Sequence, residues 1–179
     1  MIHSVAFESQ LNNEHKSSGC GAASLIMLLR HHELPIRIPS YGELCECLWL
    51  TVAPEIKGCE AKYGRGAYGT DVHRALKGMK SPDGVGIEFS EIKGDDAKHA
   101  LRRLTKALKC SPVMCAMKGR GFGGEQGHWV VIIGEKNSEL HYLDPQIARR
   151  EVKVVSHTNF HKHWDGCAFF LKQACKCAV

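Results

Sequence analysis

Ser18-Gly19-Cys20-Gly21-Ala22-Ala23-Ser24-Leu25-Ile26-Met27-Leu28-Leu29 is the stretch on which the fold turns. Leu25, Met27, Leu28 and Leu29 supply a broad apolar face, and Pro35 lies just past its end, so the spacing predicts a helix over 21–32. Over a hundred residues later Gly127-His128-Trp129-Val130-Val131 begins the most apolar strand-like run, and Leu143-Asp144-Pro145 follows a short step on. Read together, these place a thiol at the head of a helix, an imidazole at the start of a strand and a carboxylate on the next strand. Cys, His, Asp in that order suits a thiol hydrolase whose base and orienting group sit on neighbouring strands.

Working outward, residues 2–7 read as a short leading strand. Ser40 with Glu43 fits a capping box opening a second short helix that runs to about Leu48. Residues 58–69 are glycine-spotted loop, and Thr70 is placed to cap a helix over 71–79. Asp95 and Asp96 open the most regular helix, which ends near Lys109 with Ala97, Ala100, Leu101, Leu104 and Leu108 inward. From Pro112 the pattern changes to strands over 113–117, 128–133, 140–143, 152–155 and 167–171, with residues 135–138 as a hairpin connection. Helices first and an antiparallel sheet afterwards is an α+β segregation. The 179 residues carry no repeat, low-complexity tract or linker, so residues 1–179 read as a single domain.

Composition narrows the function classes. No wholly apolar run is longer than that of residues 25–29, far too short to cross a bilayer, and Met1-Ile2-His3-Ser4-Val5 lacks the basic start and apolar stretch of a secretory signal. The expectation is a cytoplasmic protein, or one delivered into a target cell's cytoplasm without a Sec-type signal. Nine cysteines are many and odd in number, but Cys45-Glu46-Cys47 and Cys175-Lys176-Cys177 are not the CxxC of a zinc or redox site. Free thiols are therefore expected, with no metal and no cofactor. The net charge of +5 is modest, and Lys98, Arg102, Arg103, Lys106 and Lys109 read as the solvated face of one helix rather than a nucleic-acid footprint.

Each candidate residue has a plainer explanation. Cys20 alone is a small apolar residue at a helix start. As a nucleophile it gains from the positive helix end and from a neighbouring imidazolium, with Gly19 and Gly21 removing side chains that would crowd a substrate backbone. His128 alone is a strand-end histidine bonded to a carbonyl, but it follows the loop Gly121-Phe122-Gly123-Gly124-Glu125-Gln126-Gly127 and can face a cleft while Val130 and Ile132 point inward. That loop lacks the Gly-Lys-Ser/Thr ending of a phosphate cradle and is too short for an arginine-glycine RNA segment. Asp144 alone is an Asp-Pro turn; one hairpin from His128, its carboxylate can fix the imidazole tautomer. Gln10, otherwise a surface glutamine, can supply an oxyanion donor beside the Cys20 backbone N–H.

Gln10, the block from Gly19 to Leu28, the block from His128 to Gly134, and Tyr142-Leu143-Asp144-Pro145 together resemble the bacteriocin-processing, double-glycine peptidase family and its stand-alone relatives. The resemblance spans about residues 5–146. It implies a papain-like cysteine peptidase fold with N-terminal helices packed on a C-terminal antiparallel sheet. It also implies Cys20 as nucleophile, His128 as general base and acid, Asp144 as orienting group, Gln10 as oxyanion donor, and cleavage after a Gly-Gly pair. In the transporter-linked members the glutamine lies closer to the thiol, where this chain has Glu14; Asn12 and Asn13 are the substitutes for Gln10.

The expected partner is a protein or peptide substrate, with no nucleic acid and no membrane. Architecture also suits a bacterial toxin or effector domain held in check by a cognate inhibitor or immunity protein. Two alternatives stay open: a glutamine deamidase or acyl-transfer effector on the same fold, and a non-enzymatic module that uses the basic helix over 97–109 to bind an acidic partner.

Overall fold

Gly21 to Leu29 are all buried, so the first long helix is covered on every side and not just along one stripe. The computed structural model describes residues 1–13, 18–48, 67–94, 97–118, 122 and 127–172, and in it this helix, α1 (Cys20–His31), forms the centre of one layer. Helices α2 (Tyr41–Leu48) and α3 (Gly69–Gly78) complete that layer. Beneath it lies an antiparallel sheet of β1 (Phe89–Lys93), β2 (Val113–Met117), β3 (His128–Lys136), β4 (Glu139–Leu143), β5 (Val152–Ser156) and β6 (Trp164–Leu171), in the order β1-β6-β2-β3-β4-β5. Helices α4 (Ala97–Ala107) and α5 (His157–His163) cover the opposite face.

Both faces of β3 are therefore dry. Val130 and Ile132 pack with Leu104 and Phe160 on the α4 side, while Val131 and Ile133 pack with Met27 of α1. Val130 and Ile132 point inward as expected, and Val131 and Ile133 are buried as well: a central strand between two helical layers buries its positions from His128 to Gly134, which is why it reads as a continuous apolar run. The α+β arrangement expected from the sequence is the one present.

Local signals held where the chain is self-contained. Glu43 N–H donates to Ser40 Oγ at 3.3 Å and Ser40 N–H to Glu43 Oε2 at 2.7 Å, so the capping box opens α2. The β3–β4 hairpin closes on Asn137 and Ser138, both left-handed at φ 54° and 60°, a two-residue turn whose twist matches the strands.

Other expectations are corrected. The residue before α3 is Tyr68, not Thr70: the buried Asp71 carboxylate accepts from Tyr68 N–H at 3.3 Å and is held by Arg74 Nη1 at 2.9 Å, starting the helix earlier. Residues 2–7 form no strand. Ile2 makes a single bridge to Gly134 at a bulge in β3, and a side chain at Gly134 would strike the Met1 carbonyl, so glycine there admits the N-terminal segment. Val5 then anchors that segment among Met27, Val131 and Leu143. The basic helix stops at Ala107 as a regular helix, with a turn through Ser111, and its acidic start at Asp95 and Asp96 lies outside the described residues. Most of the loop over 58–69 also lies outside them, and Gly69 is already helical. β1 and α5 escaped the sequence reading: α5 spans only seven residues and has one buried side chain, Phe160, too little for a period to register.

No helix among the described residues is long and apolar enough to cross a membrane. Because α1 is the shared core of its layer, shortening one side chain leaves a cavity that neighbours on several elements cannot close. Leu28→Ala is expected to lower unfolding free energy by about 2–5 kcal/mol, read from the midpoint of a urea titration.

Candidate active site

β3 and β4 are joined by a two-residue turn, and the far end of β4 at Leu143 pairs with Val131, so His128 at the start of β3 and Asp144 just past β4 fall at the same end of the hairpin. His128 Nε2–H donates to Asp144 Oδ1 at 2.7 Å, with both side chains at about 5% exposure or less. An ion-supported bond in so dry a place is barely screened by water. Asp144 Oδ1 also accepts the Gln146 backbone N–H at 2.9 Å, and Oδ2 accepts Lys153 Nζ at 3.0 Å. Lys153 stands on β5 opposite Tyr142, two residues before Asp144.

Cys20 is the first residue of α1, behind Gly19, and is partly buried. Its side chain is a hydrogen-bonding and charge partner of the His128 ring. With Nε2 committed to Asp144, Nδ1 is the ring nitrogen left for the sulfur. The first N–H groups of α1 have no partner within the helix, so donors and the positive end of the dipole converge on the same spot. Gly21 owes its identity to packing: a Cβ there would lie 2.5 Å from Ala67 Cβ and 3.4 Å from Trp129 Cδ1, and Trp129 Nε1–H is bonded to the Ala67 carbonyl at 2.8 Å. Beside the substrate-crowding reason expected for Gly21 stands the close seat of α1 on the residue next to His128.

Gln10 is buried on a 3-10 turn (Gln10–Asn12) that packs against α1. Its backbone N–H donates to Pro145 O at 2.9 Å, while Ser9 Oγ donates to Ile147 O at 2.6 Å, tying this turn to the corner that carries Asp144. Of the substitutes, Asn12 is exposed and the Asn13 amide donates to Glu8 Oε1 and Ser9 O. Glu14 lies outside the described residues. The structure therefore brings His128, Asp144 and Cys20 together and puts Gln10 at their edge. Lys153 and Ser9 were missed; a lone lysine or serine in a polar stretch carries no sequence signal of what it will bond.

The electrostatics follow the geometry. Burial alone would lower the His128 pKa, but the bond to Asp144 and the bond and charge of Cys20 outweigh it, raising it to about 9. Burial would raise Asp144, yet His128, the Gln146 N–H and Lys153 hold it down at about 2. Elsewhere burial pushes Cys45 up to about 11, Cys167 to about 12 and Cys115 well above the ordinary thiol range, so these three stay protonated. Five of the six described cysteines are free; Cys110 is the exception to the expected free thiols, being disulfide-bonded. Among the described residues no group of three or more His, Cys, Asp and Glu side chains could hold a metal ion.

No protein-family model and no curated protein matches the chain. By structure it is similar to a C39-like peptidase from Bacillus anthracis, with a TM-score of 0.69 at 16% identity over 96% of both chains. It is also similar to the peptidase domain of Streptococcus ComA, a bifunctional ABC transporter of a quorum-sensing pathway (TM-score 0.58, 21% identity, 94% of this chain and 97% of that one). A double-glycine-motif protease from an AMS/PCAT transporter, solved with its leader peptide, matches at TM-score 0.50 and 19% identity, over 96% of this chain and 93% of its own. The chain has the papain-like fold of the C39 peptidases.

The pair gives a pH signature. Asp144 titrates lower in the folded chain than unfolded, so its contribution is complete above about pH 4 and fades as pH falls toward 2. His128 titrates higher when folded, so its contribution is complete below about pH 6.5 and fades as pH rises through 9. Stability is expected to be greatest between those limits. NMR of the imidazole should show His128 still largely protonated at pH 8, and Asp144→Asn should move its titration down by about one unit or more.

Proposed function

We propose that the protein is a cysteine peptidase that cleaves a peptide bond through Cys20, His128 and Asp144, on a peptide or protein with a Gly-Gly pair before the scissile bond. The observation that carries this reading is the dry 2.7 Å bond from His128 to Asp144 beside a thiol at the head of α1. An imidazole whose Nε2–H is spent on a buried carboxylate can exchange a proton with sulfur only through Nδ1. The imidazolium formed is stabilised by the carboxylate behind it, which favours the reactive thiolate.

In the proposed cycle the Cys20 thiolate attacks the substrate carbonyl carbon. The oxyanion is held by the Cys20 backbone N–H and the Gln10 side-chain amide, and His128 gives its proton to the departing amine. Water then attacks the thioester as His128 takes a proton from it, releasing the acid and restoring Cys20. The Gly-Gly preference rests on the fold shared with the double-glycine-motif protease solved with its leader peptide.

Peptides of leader type with a Gly-Gly pair, incubated with purified protein and followed by mass spectrometry, test the reading. Scission after the pair is expected. Cys20→Ala should abolish turnover, and His128→Ala should lower kcat by about 10²–10⁴-fold, both with folding retained by circular dichroism. Undiminished turnover in either variant overturns the assignment. A one-dalton gain on a glutamine without scission would instead identify a deamidase on the same residues.

A further inference from the structure

Asp144 sits in a place with almost no water, and a carboxylate there needs every lone pair engaged. Oδ1 has two donors, His128 Nε2–H and Gln146 N–H. Oδ2 has Lys153 Nζ at 3.0 Å. Those three donors divide the labour unequally. The Gln146 N–H belongs to the turn that carries Asp144 and moves with it. Lys153 comes from a different strand, β5, across the β4–β5 ladder, and its Nζ sits on the oxygen that His128 does not use. The two oxygens of an ionised carboxylate are equivalent, so what a cation on the oxygen away from His128 fixes is the plane of the group, which keeps the other oxygen aimed at the imidazole.

We infer that Lys153 is a positioning residue of the site, an outer-strand ammonium that clamps the Asp144 carboxylate so that Oδ1 holds the His128 ring with Nδ1 toward Cys20. This rests on the reading of Cys20, His128 and Asp144 as a working thiol site. Lys153 touches no substrate; it acts through Asp144. Among the described residues, the other charged or titratable groups facing the cluster are Cys20 on α1, Tyr142 on β4 and Glu151 just before β5.

Two roles for the ammonium have opposite signatures. As a mere competing cation it would oppose the imidazolium, and its removal would let the imidazolium persist to higher pH. As a clamp it keeps the carboxylate ionised and aimed, so its removal weakens support for the imidazolium. The thiolate–imidazolium pair then forms at higher pH and is lost at lower pH, narrowing the active window from both sides. The geometry favours the clamp, because Nζ bonds the Asp144 oxygen that His128 leaves free and so holds the carboxylate from the side away from the ring.

The test needs no knowledge of the natural substrate. Alkylation of Cys20 by iodoacetamide is followed by peptide mass mapping between pH 4 and 10 in the parent protein and in Lys153→Met, Lys153→Arg and His128→Ala. With Lys153→Met the Cys20 rate at pH 6 should fall roughly tenfold, the loss of one charge-assisted bond, and both limbs of the profile should move inward. Lys153→Arg, which keeps a donor and a charge, should restore most of the window. An unchanged or widened window in Lys153→Met overturns the inference, as does a rate lost equally in the Arg variant. A drop in Tm without narrowing also overturns it, by assigning the lysine to stability alone. If His128→Ala alkylates like the parent, the underlying thiol-site reading fails instead, and the two failures are told apart.

Discussion

The His128–Asp144 bond is the constraint around which this end of the molecule is arranged. Placing an imidazolium and a carboxylate where neither meets water is costly unless each is matched and every remaining lone pair has a donor. The chain meets that demand from three directions: the ring from β3, a backbone N–H from the turn at Gln146, and an ammonium from β5. Both raised basicity at His128 and strong acidity at Asp144 follow from the same geometry, so they are two views of one interaction rather than independent contributions.

The surrounding fold keeps these parts in register by burying β3 on both faces. A strand held between α1 and α4 cannot slip by one residue without sending apolar side chains into the wrong layer, so His128 is fixed at the strand mouth. The head of α1 reaches the same corner because Gly21 lets it rest against Ala67 and Trp129. The N-terminal segment closes the arrangement: Ile2 crosses at Gly134, Val5 enters the core, and Ser9 and Gln10 bond the turn after Asp144. Placement of Gln10 therefore depends on a strap rather than on a regular element.

Local and distant signals fared differently in the sequence. The α1 helix, the Ser40–Glu43 cap, the β3–β4 hairpin and strands β2 to β6 are set by periodicity and turn residues within a few positions of one another, and all were legible to within a few residues. The start of α3 was misplaced by two residues because a buried aspartate, invisible as buried from its neighbours, took over the cap from Thr70. β1 finds its pairing only with β6, some eighty residues away, and its mixed sequence shows no clean alternation.

By itself the sequence determined that a thiol heads a helix, that an imidazole and a carboxylate end neighbouring strands of one hairpin, and that helices precede most of the sheet. Those are properties of short stretches, written in spacing and side-chain volume. Only tertiary structure decided how the ring meets the Asp144 carboxylate, which lysine holds its other oxygen, how closely Gly21 is packed, and which cysteines are too buried to ionise. Each of these depends on the approach of elements far apart in the chain, where desolvation and hydrogen-bond geometry, rather than local propensity, set the outcome.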